Sequence, residues 1–272
     1  MIFLILGLII IGIVALYFYM TQSRKLPDRG KWLIEYNYAH RGLHDNENPE
    51  NTLGAFENAV NNNYAIELDV QLSKDDKIMV FHDNNLKRLT GVNGKVKDYT
   101  TEELGAFKIN NTNFGIPLLS NVLQLVNDKV PLLIETKNEG FAGELEVSLY
   151  EILKDYKGKY AVQSFSPFSI SWFKKNAPDV IRGQLASDFK EPEKNKPKIF
   201  YFSLKHLIIN FISRPQFISY DKSGIEAGII RRLRKFGTGV LCWTIKNKNE
   251  QAHVEPYTNS IIFENFEPSS KN

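Results

Sequence analysis

The run Ala65-Ile66-Glu67-Leu68-Asp69-Val70 is apolar except at two positions, and both of those carry carboxylates. In a strand, residues two apart leave the same face, so Glu67 and Asp69 project side by side from a segment otherwise suited to a core. Seven more short apolar runs follow or precede it, at 36–39, 132–135, 161–165, 181–185, 217–220, 239–244 and 260–263. Amphipathic stretches of helical period separate most of them, such as 53–62, 118–127, 144–155 and 225–236. Thr52 is placed to cap the first helix, and Thr100 with Glu103 has the spacing of a capping box. Eight strand and helix units in about 235 residues predict an α/β fold, a closed (β/α)₈ TIM barrel. An open doubly wound sheet is the alternative, yet no Gly-x-Gly-x-x-Gly turn follows an early strand.

One segment breaks the alternation. From Asp69 to His82 the chain reads as strand, polar turn and second strand, a hairpin. A turn centred on Asp75 and Asp76 makes paired positions sum to about 151, which sets His82 opposite Asp69.

Two carboxylates on one strand face repel unless a cation lies between them. Glu135 and Lys137 repeat the spacing after the apolar run Leu132-Leu133-Ile134. Three carboxylates without a thiol suit a hard divalent cation bound through oxygen, Mg²⁺ or Ca²⁺ rather than Zn²⁺. The competing reading makes them strand-end charges in salt bridges with neighbours such as Lys137. His40-Arg41-Gly42 follows the first strand, where a barrel carries its catalytic loops. Histidine can move a proton near neutral pH, arginine's planar fork matches a pair of phosphate oxygens, and Gly42 permits a sharp turn. His44, His206 and His253 lack comparable carboxylate company and are read as structural. Phe165 and Trp243 are expected as aromatic walls of the barrel mouth, with core packing as the alternative.

Composition narrows the function classes. The chain has 272 residues and 34 basic against 31 acidic side chains, so its net charge of +3 argues against a nucleic-acid surface. A single cysteine, Cys242, excludes an internal disulfide framework and a thiolate metal cluster. Residues 2–20 carry no charge and no proline, and as a helix they reach about 28 Å, close to the thickness of a bilayer core. No basic residue precedes the run and no small-x-small pattern follows it, which favours a single-pass anchor in the cell membrane over a cleaved signal peptide. Arg24, Lys25, Arg29 and Lys31 follow the run, placing the large domain in the cytoplasm by the positive-inside tendency. The expected division is an anchor over 1–22, a linker over 23–35 and a barrel domain over 36–272. Residues 196–215, apolar with few charges, read either as a segment dipping into the membrane interface or as a buried barrel helix. The basic run 231–235 reads as a solvated helix end favourable to the helix dipole, with a lipid-headgroup site as the alternative.

The stretches Ala39-His40-Arg41-Gly42, Pro49-Glu50-Asn51-Thr52, Glu67-Leu68-Asp69-Val70, Val80-Phe81-His82-Asp83, Ile134-Glu135-Thr136-Lys137 and Cys242-Trp243-Thr244 resemble, in order and spacing, the motifs of the glycerophosphodiester phosphodiesterase family. The resemblance covers nearly all of residues 36–268. It implies a (β/α)₈ barrel that hydrolyses glycerophosphodiesters to an alcohol and glycerol 3-phosphate with a divalent cation and two histidines. By matching position, Glu67, Asp69 and Glu135 would bind the metal, His40 and His82 would be the acid and base pair, and Arg41 and Lys137 would hold the phosphate. The last strand departs from the family, with Glu264 and Asn265 where an Asp is common, and no role is assigned there. Thr136 replaces an aliphatic residue and is expected to face away from the site. His40 as base and His82 as acid is the favoured assignment, although the sequence does not separate it from the reverse. Two other readings stay open: a lysophospholipase D acting on membrane lysophospholipids, and a membrane-tethered module that binds phosphodiesters without turnover.

Overall fold

The structure, a computed structural model, describes residues 1–138, 141–189 and 197–269. Its strands are β1 (Tyr38–Ala39), β2 (Ala65–Leu72), β3 (Ile78–Val80), β4 (Leu132–Thr136), β5 (Tyr160–Ser164), β6 (Ile181–Ala186), β7 (Phe217–Asp221), β8 (Gly239–Ile245) and β9 (Ser260–Phe263). β1 pairs in parallel with both β2 and β9, and the intervening parallel pairings close an eight-stranded barrel to which β3 adds an antiparallel strand. The eight barrel strands are the eight apolar runs, with ends displaced by at most two residues. Around them lie α1 (Ile2–Thr21), α2 (Leu53–Asn61), α3 (Lys87–Thr90), α4 (Thr101–Ala106), α5 (Leu119–Val126), α6 (Glu144–Leu153), α7 (Pro167–Asn176), α8 (Lys198–Lys205), α9 (Asn210–Ser213), α10 (Gly228–Lys235) and α11 (Lys248–Val254).

Strand alternation sorts the side chains into two layers. Outward residues such as Ile66, Leu68, Ile134 and Val162 pack beneath the helices. Tyr38, Ala65, Leu133, Ala161, Ile181, Phe217, Leu241 and Ile262 turn inward and fill the floor. A Cβ on Gly183 would lie 2.1 Å from the Phe217 ring, so glycine is what lets that ring cross the barrel interior. Further along the same inward faces come Glu67, Asp69, Glu135 and Gln163, towards the strand ends where barrel enzymes keep their sites. The register sets Asp69 beside Glu135 and Glu135 beside Gln163.

Residues 23–35, expected as a linker, are folded onto this floor. A 3₁₀ helix at Asp28–Ile34 buries Trp32 and Leu33 among the inward residues. The amide of Leu26 donates to the carbonyl of Gly237 at 2.9 Å. Burial of a Trp and a Leu outweighs the polar neighbours that make the stretch look like a linker.

The hairpin differs from expectation by one residue. Val70 pairs with Val80 and Leu72 with Ile78, while the Phe81 amide donates to the Asp69 carbonyl at 3.0 Å. Phe81, not His82, therefore stands opposite Asp69. The turn runs from Ser73 to Lys77 with Asp76 in the left-handed region (φ 58°), which centres it on Asp75 alone. Between β3 and α5 the chain builds a satellite core from Met79, Phe81, Leu86, Leu89, Val96, Leu104, Ile109 and Ile116.

α1 is 20 residues long, with a mean hydropathy of 2.8 in its most apolar window and no residue of that window buried, which makes it long and apolar enough to cross a membrane. Of the stretch 196–215, Lys196 lies outside the described residues. The rest is divided: Tyr201, Leu204, Leu207 and Ile209 are core, while Ile199, Phe202 and Phe211 are exposed.

Candidate active site

Backbone geometry brings three short segments to one point. Arg41 and Asn51 are both left-handed (φ 56° and 57°), a conformation in which most non-glycine residues are strained. Gly42 continues the turn at φ 83°, where a Cβ would meet Ala55 at 2.9 Å. The Arg41 amide donates to Glu67 Oε2 at 3.1 Å, and Asn51 Nδ2 donates to Asp69 Oδ2 at 3.0 Å. Thr52, next in the chain, accepts from the Ala55 amide and caps α2.

The three carboxylates converge. Glu67, Asp69 and Glu135 are buried and each offers an oxygen within 4.8 Å of the others. Lys137 Nζ lies 3.1 Å from Asp69 Oδ1 and 2.7 Å from Glu135 Oε1, and Arg41 Nε is 3.6 Å from Asp69 Oδ2. The salt bridges foreseen as the competing reading are thus present in the same cluster. Three acids against two cations leave an excess negative charge. Burial, with the charges of Asp69 and Glu135, holds Glu67 well above the usual carboxylate range. Burial and Asp69 likewise push Glu135 up to about 7 against the pull of Lys137. For Asp69 burial is outweighed by Lys137, His82 and Arg41, which keep it ionised. Carboxylates that resist sharing a site, all with oxygen donors and turned to one point, suit a hard divalent cation.

Each histidine has a carboxylate partner. His40 Nδ1 lies 2.6 Å from Glu264 Oε2, and His82 Nδ1 lies 2.8 Å from Asp83 Oδ1. Burial lowers both imidazoles below their ordinary value; because a carboxylate accepts, each ring donates its Nδ1–H there and leaves Nε2 for proton transfer. Asp83 is held at about 2, burial being outweighed by its bonds from Arg88 and His82. Arg88 grips Asp83 at 2.6 and 2.9 Å and Glu50 at 2.8 Å through each terminal nitrogen. Glu50 in turn accepts from Arg41 Nη1 at 2.6 Å. A continuous polar chain therefore links His82 through Asp83, Arg88 and Glu50 to Arg41 and the acidic cluster.

Sequence reasoning missed several of these partners. Glu264, in the strand left without a role, bonds His40 directly and also meets Lys246 at 2.7 Å. The departure to which no role was assigned therefore touches a proposed catalytic side chain. His44, read as structural for want of acid company, has Nε2 3.8 Å from the same Glu264 oxygen. Glu50 and Asn51 lie in a quoted motif, but only their placement beside Arg41 and Asp69 discloses what they do. Thr136 faces outward as expected, its hydroxyl 2.8 Å from that of Ser169. Phe165 and Trp243 pack edge to face with centroids 5.8 Å apart, and Phe189 extends the aromatic row from Phe165.

The fold and the charged pocket at its mouth suit a hydrolase of phosphodiesters. The model of the glycerophosphoryl diester phosphodiesterase family matches residues 40–266, and the chain belongs to that family. It is 31% identical over 230 residues to the glycerophosphodiester phosphodiesterase of Caldanaerobacter subterraneus, covering 79% of this chain and 88% of that one. It is 36% identical over 140 residues to lysophospholipase D GDPD1 of Rattus norvegicus, covering 47% and 43% of the two chains. Its fold matches an Oleispira antarctica phosphodiesterase solved with sn-glycerol-3-phosphate, with a TM-score of 0.71, 23% identity and coverage of 84% and 92%.

Proposed function

We propose that the protein hydrolyses glycerophosphodiesters to glycerol 3-phosphate and an alcohol, with a divalent cation held by Glu67, Asp69 and Glu135. The observation that carries this is the convergence of those three buried oxygens within 4.8 Å beside Arg41 and Lys137. Mg²⁺ or Ca²⁺ bound there would supply positive charge to the phosphate as charge builds on it. Arg41 and Lys137 orient and neutralise the phosphate oxygens. In the favoured assignment His40 Nε2 takes a proton from the attacking hydroxyl, either water or the neighbouring glycerol hydroxyl. As the new P–O bond forms, protonated His82 gives its Nε2 proton to the departing alkoxide oxygen, whose P–O bond breaks. If the glycerol hydroxyl attacks, a cyclic phosphate forms and water opens it with the two histidine roles exchanged.

Beside Lys137 a cavity of about 440 Å³ is lined by Gln71, Asn84, Lys97 and Phe141, a size that suits a small polar headgroup. A membrane anchor by itself favours a lysophospholipid substrate, but its place of attachment favours water-soluble ones in our reading. α1 leads into residues folded on the barrel floor, so the mouth opens at the end away from the anchor's attachment. A lysophospholipase D activity has one observation in its favour: Phe141, after β4, and Phe168, in the first turn of α7, form an exposed ring pair, centroids 5.4 Å apart. We infer that α1 spans the cell membrane with the barrel in the cytoplasm, from the basic residues that follow it. Incubating the purified protein with glycerophosphocholine, glycerophosphoethanolamine and a lysophospholipid, each with Mg²⁺, Ca²⁺ or chelator, tests the reading. Release of glycerol 3-phosphate from the first two is the expected result. Turnover of the lysophospholipid alone would select the second activity, and no turnover with any metal would leave a binding module.

A further inference from the structure

Cations without acidic partners gather where α1 meets the barrel. Arg214, in a left-handed turn between α9 and β7, donates Nη1 to the carbonyls of Tyr19 at 2.8 Å and Gln22 at 3.0 Å and lies 4.5 Å above the Tyr19 ring. Arg232 of α10 lies 4.5 Å above Phe18 and donates to the Thr21 hydroxyl. Lys174 of α7 donates to the carbonyl of Ile212, and Arg24 binds the Pro215 carbonyl through its amide at 2.7 Å. Behind them Arg182, on the outward face of β6, is 2% exposed. Among the described residues its Nη1 reaches only the carbonyls of Pro178 and Val180 at 3.5 Å, and its Nε is without a hydrogen-bond partner, as is the buried hydroxyl of Ser213. Among the described residues none of these five cations lies within 4.0 Å of a carboxylate, whereas Arg41, Arg88, Lys137 and Lys246 all do.

A buried guanidinium without an anion is costly, and clustered like charges add to the cost. Burial and the charges of Arg24 and Arg29 push Arg182 down to about 10. Lys174 is lowered by burial and by Arg182, Arg214 and Arg24, which places these charges in one field. An anion seated among them would relieve both. The position selects which anion. As a span of 20 residues, α1 would end at headgroup depth, and Tyr17 and Tyr19 at that end are the residue type enriched at membrane interfaces.

We propose that Arg24, Lys174, Arg182 and Arg214 form a binding site for the phosphate of an anionic phospholipid at the foot of the anchor. The lipid would fix the barrel on the bilayer by neutralising the cluster, apart from the catalytic mouth. The proposal rests on α1 spanning the membrane.

The test reconstitutes the full chain in nanodiscs of phosphatidylcholine with phosphatidylglycerol and counts lipids retained on the protein by native mass spectrometry. The expected result is one phosphatidylglycerol kept in roughly tenfold or greater preference. Arg24→Gln with Lys174→Gln should bring that preference to parity, Lys174→Arg should preserve it, and glycerophosphocholine turnover should be unchanged in both variants. Equal retention of both lipids by the wild type, or undiminished preference in the double variant, overturns the proposal. Displacement of the lipid by inorganic phosphate would replace it with a free-phosphate site. Failure of the wild type to enter nanodiscs would overturn the spanning reading itself, leaving the hydrolase reading to its own assay.

Discussion

His40 and His82 are tied through the same ring atom to Glu264 and Asp83, so each presents Nε2 as its working nitrogen. In the proposed mechanism either imidazole is a general acid or base, so His40→Ala or His82→Ala should each lower turnover at least ~10²-fold. Glu264→Gln keeps a bond to the ring but loses the charge that favours its protonated form, so turnover should fall by roughly tenfold or more, with KM little changed in steady-state assays. The acidic cluster makes a prediction of opposite character. In the metal-free protein Glu135 is raised to about 7 from an ordinary 4.5, and Glu67 is raised as well. A raised carboxylate stabilises the fold below its unfolded value, and that contribution is lost as pH rises through the folded one. Added Mg²⁺ or Ca²⁺ should therefore raise Tm more at pH 8 than at pH 5. Calorimetry with and without chelator at both pH values checks this, and an equal or reversed difference would count against a metal held by these groups. Glu67 and Asp69 were legible because two carboxylates at strand spacing stand out in an apolar run. Glu264 was not, because only closure of the barrel brings β9 beside β1 and so sets it against a residue 224 positions away.

The strands were legible for the same reason that they are buried. Interior strands of a closed barrel are covered on both faces, so they read as short continuous apolar runs. Helix bounds were less so. The stretch 225–236 reads as one helix, yet α10 begins at Gly228, because Asp221 caps a preceding 3₁₀ turn at Lys222–Gly224 through the Ser223 amide. The motif Pro49-Glu50-Asn51-Thr52 shows how local chemistry is hidden in sequence. Thr52 is recognisable as a cap, but Glu50 and Asn51 act only because left-handed turns at Arg41 and Asn51 aim them at the site. Thr52→Ala should cost about 1 kcal/mol, read as a lowered denaturation midpoint. Since α2 carries Asn51 at its entrance, the same variant should lose some turnover under conditions where it remains folded.

At the scale of the whole molecule, the chain from Ser23 to Glu35 joins an apolar helix to a catalytic barrel by becoming the barrel's floor. Trp32 sits there with 9% exposure among inward residues from most of the strands. Trp32→Ala should destabilise the domain by roughly 3–5 kcal/mol, far beyond what a linker residue would cost, and thermal unfolding measures it. Attachment at the floor turns the mouth away from the helix. The enzyme in vesicles should accordingly hydrolyse soluble glycerophosphocholine as fast as the enzyme in detergent. In the proposed function one divalent cation is held by the three carboxylates Glu67, Asp69 and Glu135. Its most direct test is glycerophosphodiester turnover by chelator-treated protein, before and after a divalent cation is restored, in the wild type and in Glu67→Gln. The account predicts activity abolished by chelation and recovered on metal addition in the wild type alone. Undiminished hydrolysis by the chelated enzyme, or full activity in Glu67→Gln, would contradict it.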